Sequence, residues 1–344
     1  MTDTTEPLIQ KAARLEVLPE QKRDPIPILL ILALMAISYP LIGDFWGWGT
    51  LTFAALAMGM MLFMMSCGLT LVFGLMDVMN LGHAAFVAIG AYLACSLVLP
   101  FEAWLSDESP WLNGAALALI AVIVVAITML LGLVFERLFI RPAGGNHLKE
   151  ILVTIGAMII IEQLLVVGWG PQQMWLQLPF SMRGAVIIGD MFIERYRIVT
   201  LCLGVVLFIA LLLVLSRTRI GLLIRAGVED REMVEALGYR INRLFVATFA
   251  VGAGLAGLGG AMWGFYREMF TPTIGNEVLV QLLIVVIVGG MGSIPGCFAA
   301  AILVALFTNY VGFLLPDFVM VANVALMLAV LIWRPRGLYP LNSK

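Results

Sequence analysis

Charged residues are scarce in this chain. Asp, Glu, Lys and Arg make up 12% of its 344 residues, hydrophobic residues make up 62%, and the mean hydropathy is +1.04. An ordinary soluble domain, with roughly 45–50% apolar residues, is therefore excluded. Successive apolar runs of about 18–25 residues can each cross a ~30 Å hydrocarbon core as a helix. They lack the two-residue alternation of a membrane β-barrel, so the sequence predicts an all-α polytopic membrane protein.

Reactive side chains are also few. The four cysteines, Cys67, Cys95, Cys202 and Cys297, lie in apolar runs without a CxxC pair, and we interpret them as core residues. The only histidines are His83 and His147, so no histidine-based metal site is recognisable, and no His, Asp or Cys cluster suggests a membrane-embedded enzyme. The phosphate-binding pattern GxxxxGK[ST] is absent, so we expect no cofactor and no ATP hydrolysis by the chain itself.

Ten apolar runs are predicted as membrane spans. They cover about 26–43, 50–73, 81–99, 114–135, 150–169, 198–215, 244–265, 279–291, 296–314 and 318–333. This divides the chain into an N-terminal tail (1–25), a transmembrane domain (26–334) and a C-terminal tail (335–344). Helices interrupted within the membrane are expected near a transport pathway.

The charges of the connections predict the orientation. Lys and Arg are concentrated in 136–150, in 217–243 and after residue 333, whereas 100–113 contains neither. The positive-inside rule places the first three in the cytoplasm and the last outside. The loop 170–197 contains three arginines but falls outside by the parity of the spans. We expect a multi-pass protein of the cell inner membrane with both termini in the cytoplasm.

The segment 217–243 contains six arginines and four acidic residues. Its part 228–237 is predicted as a short helix that ends at Gly238, with acidic residues in the first turn and an apolar face. The residues expected to contact a partner are Glu229, Asp230, Arg231, Glu232, Met233, Val234, Glu235, Leu237 and Gly238. One interpretation inserts this helix into a groove of a soluble partner, with Met233, Val234 and Leu237 as the buried face. The other is a solvated loop that packs on its own bundle.

Two interruptions of the apolar runs, at 74–83 and 289–296, resemble each other in their glycine content and predict two broken helices. Candidate pathway residues are Asn80 and His83 in the first and Gly292 and Ser293 in the second. Asp77 is a further polar residue there, which could also lie at the membrane interface and satisfy free backbone groups. Ser293 is predicted to cap a helix, which either presents free N–H groups to a substrate carboxylate or carbonyl, or forms a plain turn.

Gly252, Gly254 and Gly257 match the dinucleotide pattern GxGxxG, but no strand precedes them. We interpret Gly252, together with Gly260 and Gly264, as positions of close helix packing. The polar residues within spans, Glu162, Gln163, Asn309 and Asn323, are expected to form hydrogen bonds between helices.

Several separated motifs resemble the permease subunits of branched-chain amino acid ABC importers. They are the runs Gly68–Gly74, Asn80–Phe86 and Gly90–Tyr92, the segment Arg217–Gly238, and the signatures Gly289–Gly296 and Arg334–Leu338. The resemblance covers about residues 50–340. The first run is similar to one of the family's two permease types, and the LGHAAF sequence is typical of the other.

The resemblance implies a pathway formed with a second permease subunit, two cytoplasmic ATP-binding subunits and an extracytoplasmic solute-binding protein. Relatives import branched-chain amino acids, urea, short amides and some organic acids. Contact with membrane lipid is expected, and no nucleic-acid partner is. The alternative is a stand-alone secondary transporter or channel, for which Glu162 and Asp77 are the candidate coupling carboxylates.

Overall fold

The computed structural model describes residues 25–76, 80–144, 146–229 and 231–339. We number the ten long apolar helices of this part α1 to α10. They are α1 (Ile26–Ile42), α2 (Phe45–Met76), α3 (His83–Val98), α4 (Pro110–Phe135), α5 (His147–Trp169), α6 (Arg195–Arg217), α7 (Ile241–Arg267), α8 (Ile274–Gly289), α9 (Ile294–Leu314) and α10 (Val319–Trp333). Each overlaps one predicted span, and the all-α polytopic fold is confirmed. Seven apolar helices are long enough to cross a membrane when α10 is counted from Pro316 with its 3₁₀ turn, whereas α1, α3 and α8 are shorter.

The remaining elements are short and lie in the connections. The helical ones are Glu102–Leu105, the π-helix Glu136–Ile140, Arg141–Ala143, the 3₁₀ turns Phe180–Met182 and Pro316–Phe318, and Arg219–Glu229 and Arg231–Ala236. The strands are β1 (Met174–Trp175), β2 (Ala185–Ile188), β3 (Met191–Glu194) and β4 (Met269–Phe270). Strands β2 and β3 form an antiparallel hairpin, and β1 pairs antiparallel with β4. The sequence analysis did not predict these strands.

Helices α2 and α7 form the centre of the bundle. In their most apolar 18-residue windows, 94% of the α2 residues and 78% of the α7 residues are buried, compared with 11% in α6 and in the helix ending at Trp333. Lipid tails are as apolar as leucine, so burial by itself does not hold membrane helices together, and close backbone approach becomes important. Glycine is concentrated along α7, where it permits such an approach.

The predicted packing glycines lie at contacts between helices. A Cβ atom added to Gly252 would lie 2.9 Å from the Gly68 carbonyl oxygen of α2, and one added to Gly260 would overlap the Val87 carbonyl oxygen of α3. One added to Gly264 would lie 3.2 Å from Cβ of Ala91. The GxGxxG pattern therefore lies inside a continuous helix, where no dinucleotide-binding turn is formed.

Helices α3 and α8 have 16 residues each and extend only about 24 Å, which is less than a ~30 Å hydrocarbon core. Their N-terminal ends meet, because a Cβ atom on Gly275 would overlap the carbonyl oxygen of Ala84. Both predicted interruptions coincide with helix starts, because α3 begins at His83 and α9 begins at Ile294 after the end of α8 at Gly289. A further break, at 268–273, leads into α8 and was not predicted.

The turn between α8 and α9 lies instead beneath the C-terminal segment. Backbone N–H groups of Leu338 and Tyr339 donate to the carbonyl oxygens of Val288 and Gly289 at 2.8 and 3.1 Å. Gly337, at φ +84°, lies directly against Gly290. These bonds satisfy carbonyl groups at the end of α8 that have no partner within the helix. The C-terminal segment thus covers the end of α8, and both interpretations of the start of α9 stay predictions.

The connections that the count of spans places outside the membrane lie together at one end of the bundle. The Ser181 backbone N–H donates to Asn113 Oδ1 at 2.8 Å, and the Phe192 N–H donates to Thr50 Oγ1 at 3.3 Å. The β1–β4 pair adds the α7–α8 connection to this group. At the other end, the α8–α9 turn contacts Gly74 and the segment after α10. The alternation of ten spans is thus consistent with the contacts.

Candidate functional site

In the polar segment between α6 and α7, the structure describes helix over Arg219–Glu229 and over Arg231–Ala236. The prediction of one helix over 228–237 was therefore wrong in its bounds. The first helix begins earlier because Thr218 has an extended backbone and its Oγ1 accepts the Gly221 N–H at 3.4 Å, as an N-cap does. Thr218 in the sequence was the signal for this start. Asp230 lies outside the described residues, as do the side chains of Glu229, Arg231 and Glu232.

The second short helix ends at the predicted glycine. Gly238 has φ +88°, its N–H donates to the Glu235 carbonyl at 3.0 Å, and the Tyr239 N–H donates to the Val234 carbonyl at 3.3 Å. This pair of bonds is the Schellman motif, which requires a left-handed residue that glycine supplies without steric cost. Gly238 thereby turns the chain into α7.

The predicted apolar face is divided between two directions. Val234 is 3% exposed and packs in a small cluster with Ile241 and Phe245 of α7. Met233 and Leu237 are 59% and 69% exposed. Residues four apart lie on one side of a helix, whereas Val234 is rotated from Met233 by about 100° and faces the bundle. The inclusion of Val234 among the partner-facing anchors was therefore wrong.

The exposed apolar residues of this segment form what we call the docking surface, which consists of Ile220, Leu222, Met233, Leu237 and Tyr239. Each is at least half exposed, although the segment is polar in composition and lies outside the apolar helices. Exposed apolar side chains on an otherwise polar segment are typical of interaction sites. Glu235 is also exposed and lies between the two outward-facing anchors in sequence.

Asn80 and His83 are buried where α3 begins. The His83 Nε2 atom lies 3.0 Å from the Met65 carbonyl oxygen, and because that oxygen can only accept, Nε2 carries the proton in this contact. Asn80 is 0% exposed, and neither atom of its amide has a hydrogen-bond partner among the described residues. Asp77 lies outside those residues.

The second pair of candidate pathway residues lies elsewhere, in the α8–α9 turn. The Ser293 Oγ atom accepts the Gly296 N–H at 3.2 Å and caps α9, as predicted. Gly292, at φ +81°, packs against Gly74. Ser293 Oγ is thus engaged by the backbone of its own helix, and the two predicted interruptions touch each other through Gly74 and Gly292.

Polar residues within spans do join helices. Asn276 Nδ2 donates to Glu162 Oε2 at 2.5 Å, which connects α8 to α5. Thr308 Oγ1 donates to Asn323 Oδ1 at 3.0 Å between α9 and α10, and Asn309 Nδ2 lies 3.2 Å from the Met58 sulfur of α2. The expectation of interhelical hydrogen bonds is confirmed for Glu162, Asn309 and Asn323. The sequence analysis missed Asn276, because its place beside Glu162 depends on where α8 begins.

Residues 51–332 match the family described as the permease component of the branched-chain amino acid transport system. The chain belongs to this family. Its match covers nearly all of the described helices, so the protein is a multi-pass transport permease and not itself an enzyme.

Individual relatives of the permease agree. It is 27% identical to the high-affinity branched-chain amino acid transport system permease protein BraD of Pseudomonas aeruginosa over 80% of this chain and 90% of that protein. It is 25% identical to LivH of Escherichia coli over 83% of this chain and 93% of LivH, and 27% identical to LivM of the same organism over 91% and 75%. Similarity to both LivH and LivM agrees with the mixture of motifs in the sequence. No solved structure gives a significant match.

Proposed function

We propose that the protein is the transmembrane permease subunit of an ABC importer for branched-chain amino acids or a related small solute, such as urea, an amide or an organic acid. It forms the pathway with a second permease, receives solute from an extracytoplasmic binding protein, and is driven by two separate ATP-binding subunits. The observation that carries this proposal is an exposed apolar docking surface on a polar connection of a chain that belongs to the permease family.

The orientation follows from the charges. The docking surface, the α8–α9 turn and both termini lie in the cytoplasm, and the hairpin of β2 and β3 lies on the outer side of the inner membrane. The arginines of 217–243 support this orientation, as does the grouping of connections at two ends of the bundle.

Contacts of the short helix Arg231–Ala236 explain how an ATPase movement would reach the pathway. Met233 and Leu237 enter a groove of the ATPase, while Val234 on the other side of the helix packs on Ile241 and Phe245. Those two residues begin α7, whose glycines contact the backbones of α2 and α3. A displacement of the short helix is therefore transmitted to the central helices through buried contacts.

Substitution of both anchors tests the proposal. Met233→Ala with Leu237→Ala should leave the permease folded, because both side chains are more than half exposed. A buried interface anchor contributes roughly 2 kcal/mol, or about 30-fold in affinity, so the double variant should lose its ATPases and solute uptake. The readouts are ATPase co-purification and uptake in whole cells.

The matched control is Leu138→Ala with Leu148→Ala, which removes side chains of 61% and 67% exposure around the α4–α5 connection at the same end of the bundle. The control should retain both ATPases and uptake. If the control loses them and the anchor variant does not, the docking element has been assigned to the wrong connection. Uptake that persists without any ATPase would instead support a stand-alone transporter.

A further inference from the structure

Carboxylate and amide side chains are concentrated on one outer side of the bundle, on α5 and α8. We call this set, together with Arg267 at the end of α7, the polar strip, and it consists of Glu162, Gln163, Arg267, Asn276, Glu277 and Gln281. Gln163, Asn276 and Glu277 are exposed, and Glu162 and Gln281 are half-buried. By contrast, 198–215 of the equally peripheral α6 contains no Asp, Glu, Asn or Gln, and Asn323 of α10 is buried.

The polar strip extends from the outer end of the bundle into its membrane-spanning part. Glu162 lies seven residues before Trp169, the last residue of α5, which corresponds to about 10 Å along the helix axis. Asn276, the third residue of α8, donates to Glu162 at 2.5 Å, so the beginning of α8 lies at the same depth. An ionisable side chain at that depth is costly when it faces lipid, and such residues face the protein interior or water.

A shallow groove accompanies the strip. It is lined by Glu162 and Asn276 together with the buried small residues Ala84, Ala88 and Gly275. The N-terminal ends of α3 and α8 meet here, and their partial positive charges favour the Glu162 carboxylate.

Beside Asn276 the strip carries both signs of charge. Arg267 Nη2 lies 3.6 Å from Glu277 Oε2, with side chains 50% and 47% exposed, and Thr273 Oγ1 donates to Glu277 Oε1 at 3.3 Å. A hydrocarbon environment provides no partner for the exposed halves of these groups, whereas polar groups on another protein do.

We propose that the polar strip is the face that binds the second permease subunit. This inference rests on the proposed function and specifies which side of the bundle the partner covers. The occupant is a permease of the same family with polar side chains opposite Gln163, Glu277 and Gln281. The solute-binding protein does not fit, because Glu162 lies below the end of the bundle that it would touch.

The test is photo-crosslinking in membranes of the natural host, with the complete transporter present. Benzoylphenylalanine is introduced at Gln163 or at Val280, which is 56% exposed and one helical turn from Asn276. Matched controls carry it at Val206 of α6 and Ile332 of α10, which are 63% and 85% exposed. We expect covalent products that mass spectrometry identifies as a permease-family subunit at the strip positions, and none at the controls.

Permease products from the control positions, or only lipid adducts from the strip positions, would overturn the inference. ATPase co-purification and uptake are measured in the same strains to separate the two proposals. If ATPase co-purification and uptake persist while the crosslinks map to α6 or α10, the polar strip is not the permease-binding face and the proposed function stands. If the ATPases do not co-purify and uptake does not depend on ATP, the proposed function fails, and the inference that rests on it fails as well.

Discussion

A single added methyl group on α7 tests whether close backbone contact holds the bundle together. In Gly260→Ala the new Cβ atom would overlap the Val87 carbonyl oxygen of α3. That oxygen belongs to the backbone of another helix and cannot rotate away, so α3 and α7 must separate. The matched control is Gly156→Ala on α5, where an added Cβ atom has nothing within 4 Å.

The two substitutions should have opposite effects on stability. Forcing an extra methyl group into a packed site costs roughly 1–3 kcal/mol. Replacing glycine by alanine within a helix is favourable by up to about 1 kcal/mol where there is space. We therefore expect a net destabilisation of up to about 2 kcal/mol for Gly260→Ala and none for Gly156→Ala. Gly260→Leu with Gly264→Leu also encounters Ala91 and Leu176 and should prevent recovery of folded protein.

Thermal unfolding of the purified permease in detergent measures these differences, with the loss of the monodisperse species as the readout. Gly260→Ala should melt below the unmodified protein, and Gly156→Ala should melt at or above it. The reasoning is refuted if Gly260→Ala melts as high as Gly156→Ala. Unchanged assembly and transport with leucine at both 260 and 264 would show that this face of α7 meets only lipid.

Two further predictions concern topology and the C-terminal segment. Single cysteines replace Trp111 or Leu237 on a cysteine-free background. An impermeant thiol reagent should label the cysteine at position 111 in intact cells, and the cysteine at position 237 only after permeabilisation. Labelling of position 237 in intact cells would contradict the orientation. In Gly337→Val, a β-branched residue would have to adopt φ +84°, and its Cβ atom would lie 2.5 Å from Cα of Gly290. The segment after α10 should therefore leave the α8–α9 turn, and its amide hydrogens should exchange faster. Gly144→Val, with no contact closer than 3.6 Å in another connection, should leave that exchange unchanged, and equal exchange in both variants would show that the segment does not need its glycine.

The sequence by itself determined the spans and several helix ends. Hydrocarbon thickness fixes the length of an apolar run, so all ten helices could be located without knowledge of their neighbours. Gly238 and Ser293 end and begin helices through bonds within a few residues, which makes these signals readable in the sequence.

Residues that look alike in the sequence have different roles, and only the tertiary structure decided which residue has which role. Met233 and Val234 are adjacent and both apolar, yet α7 covers Val234 and leaves Met233 exposed. The two glycine-rich interruptions looked alike, but the C-terminal segment covers the second, and the partner of the α3 break is the start of α8. These outcomes depend on contacts between residues distant in sequence, and neither periodicity nor local composition records them, because both describe a residue only by its near neighbours in the chain.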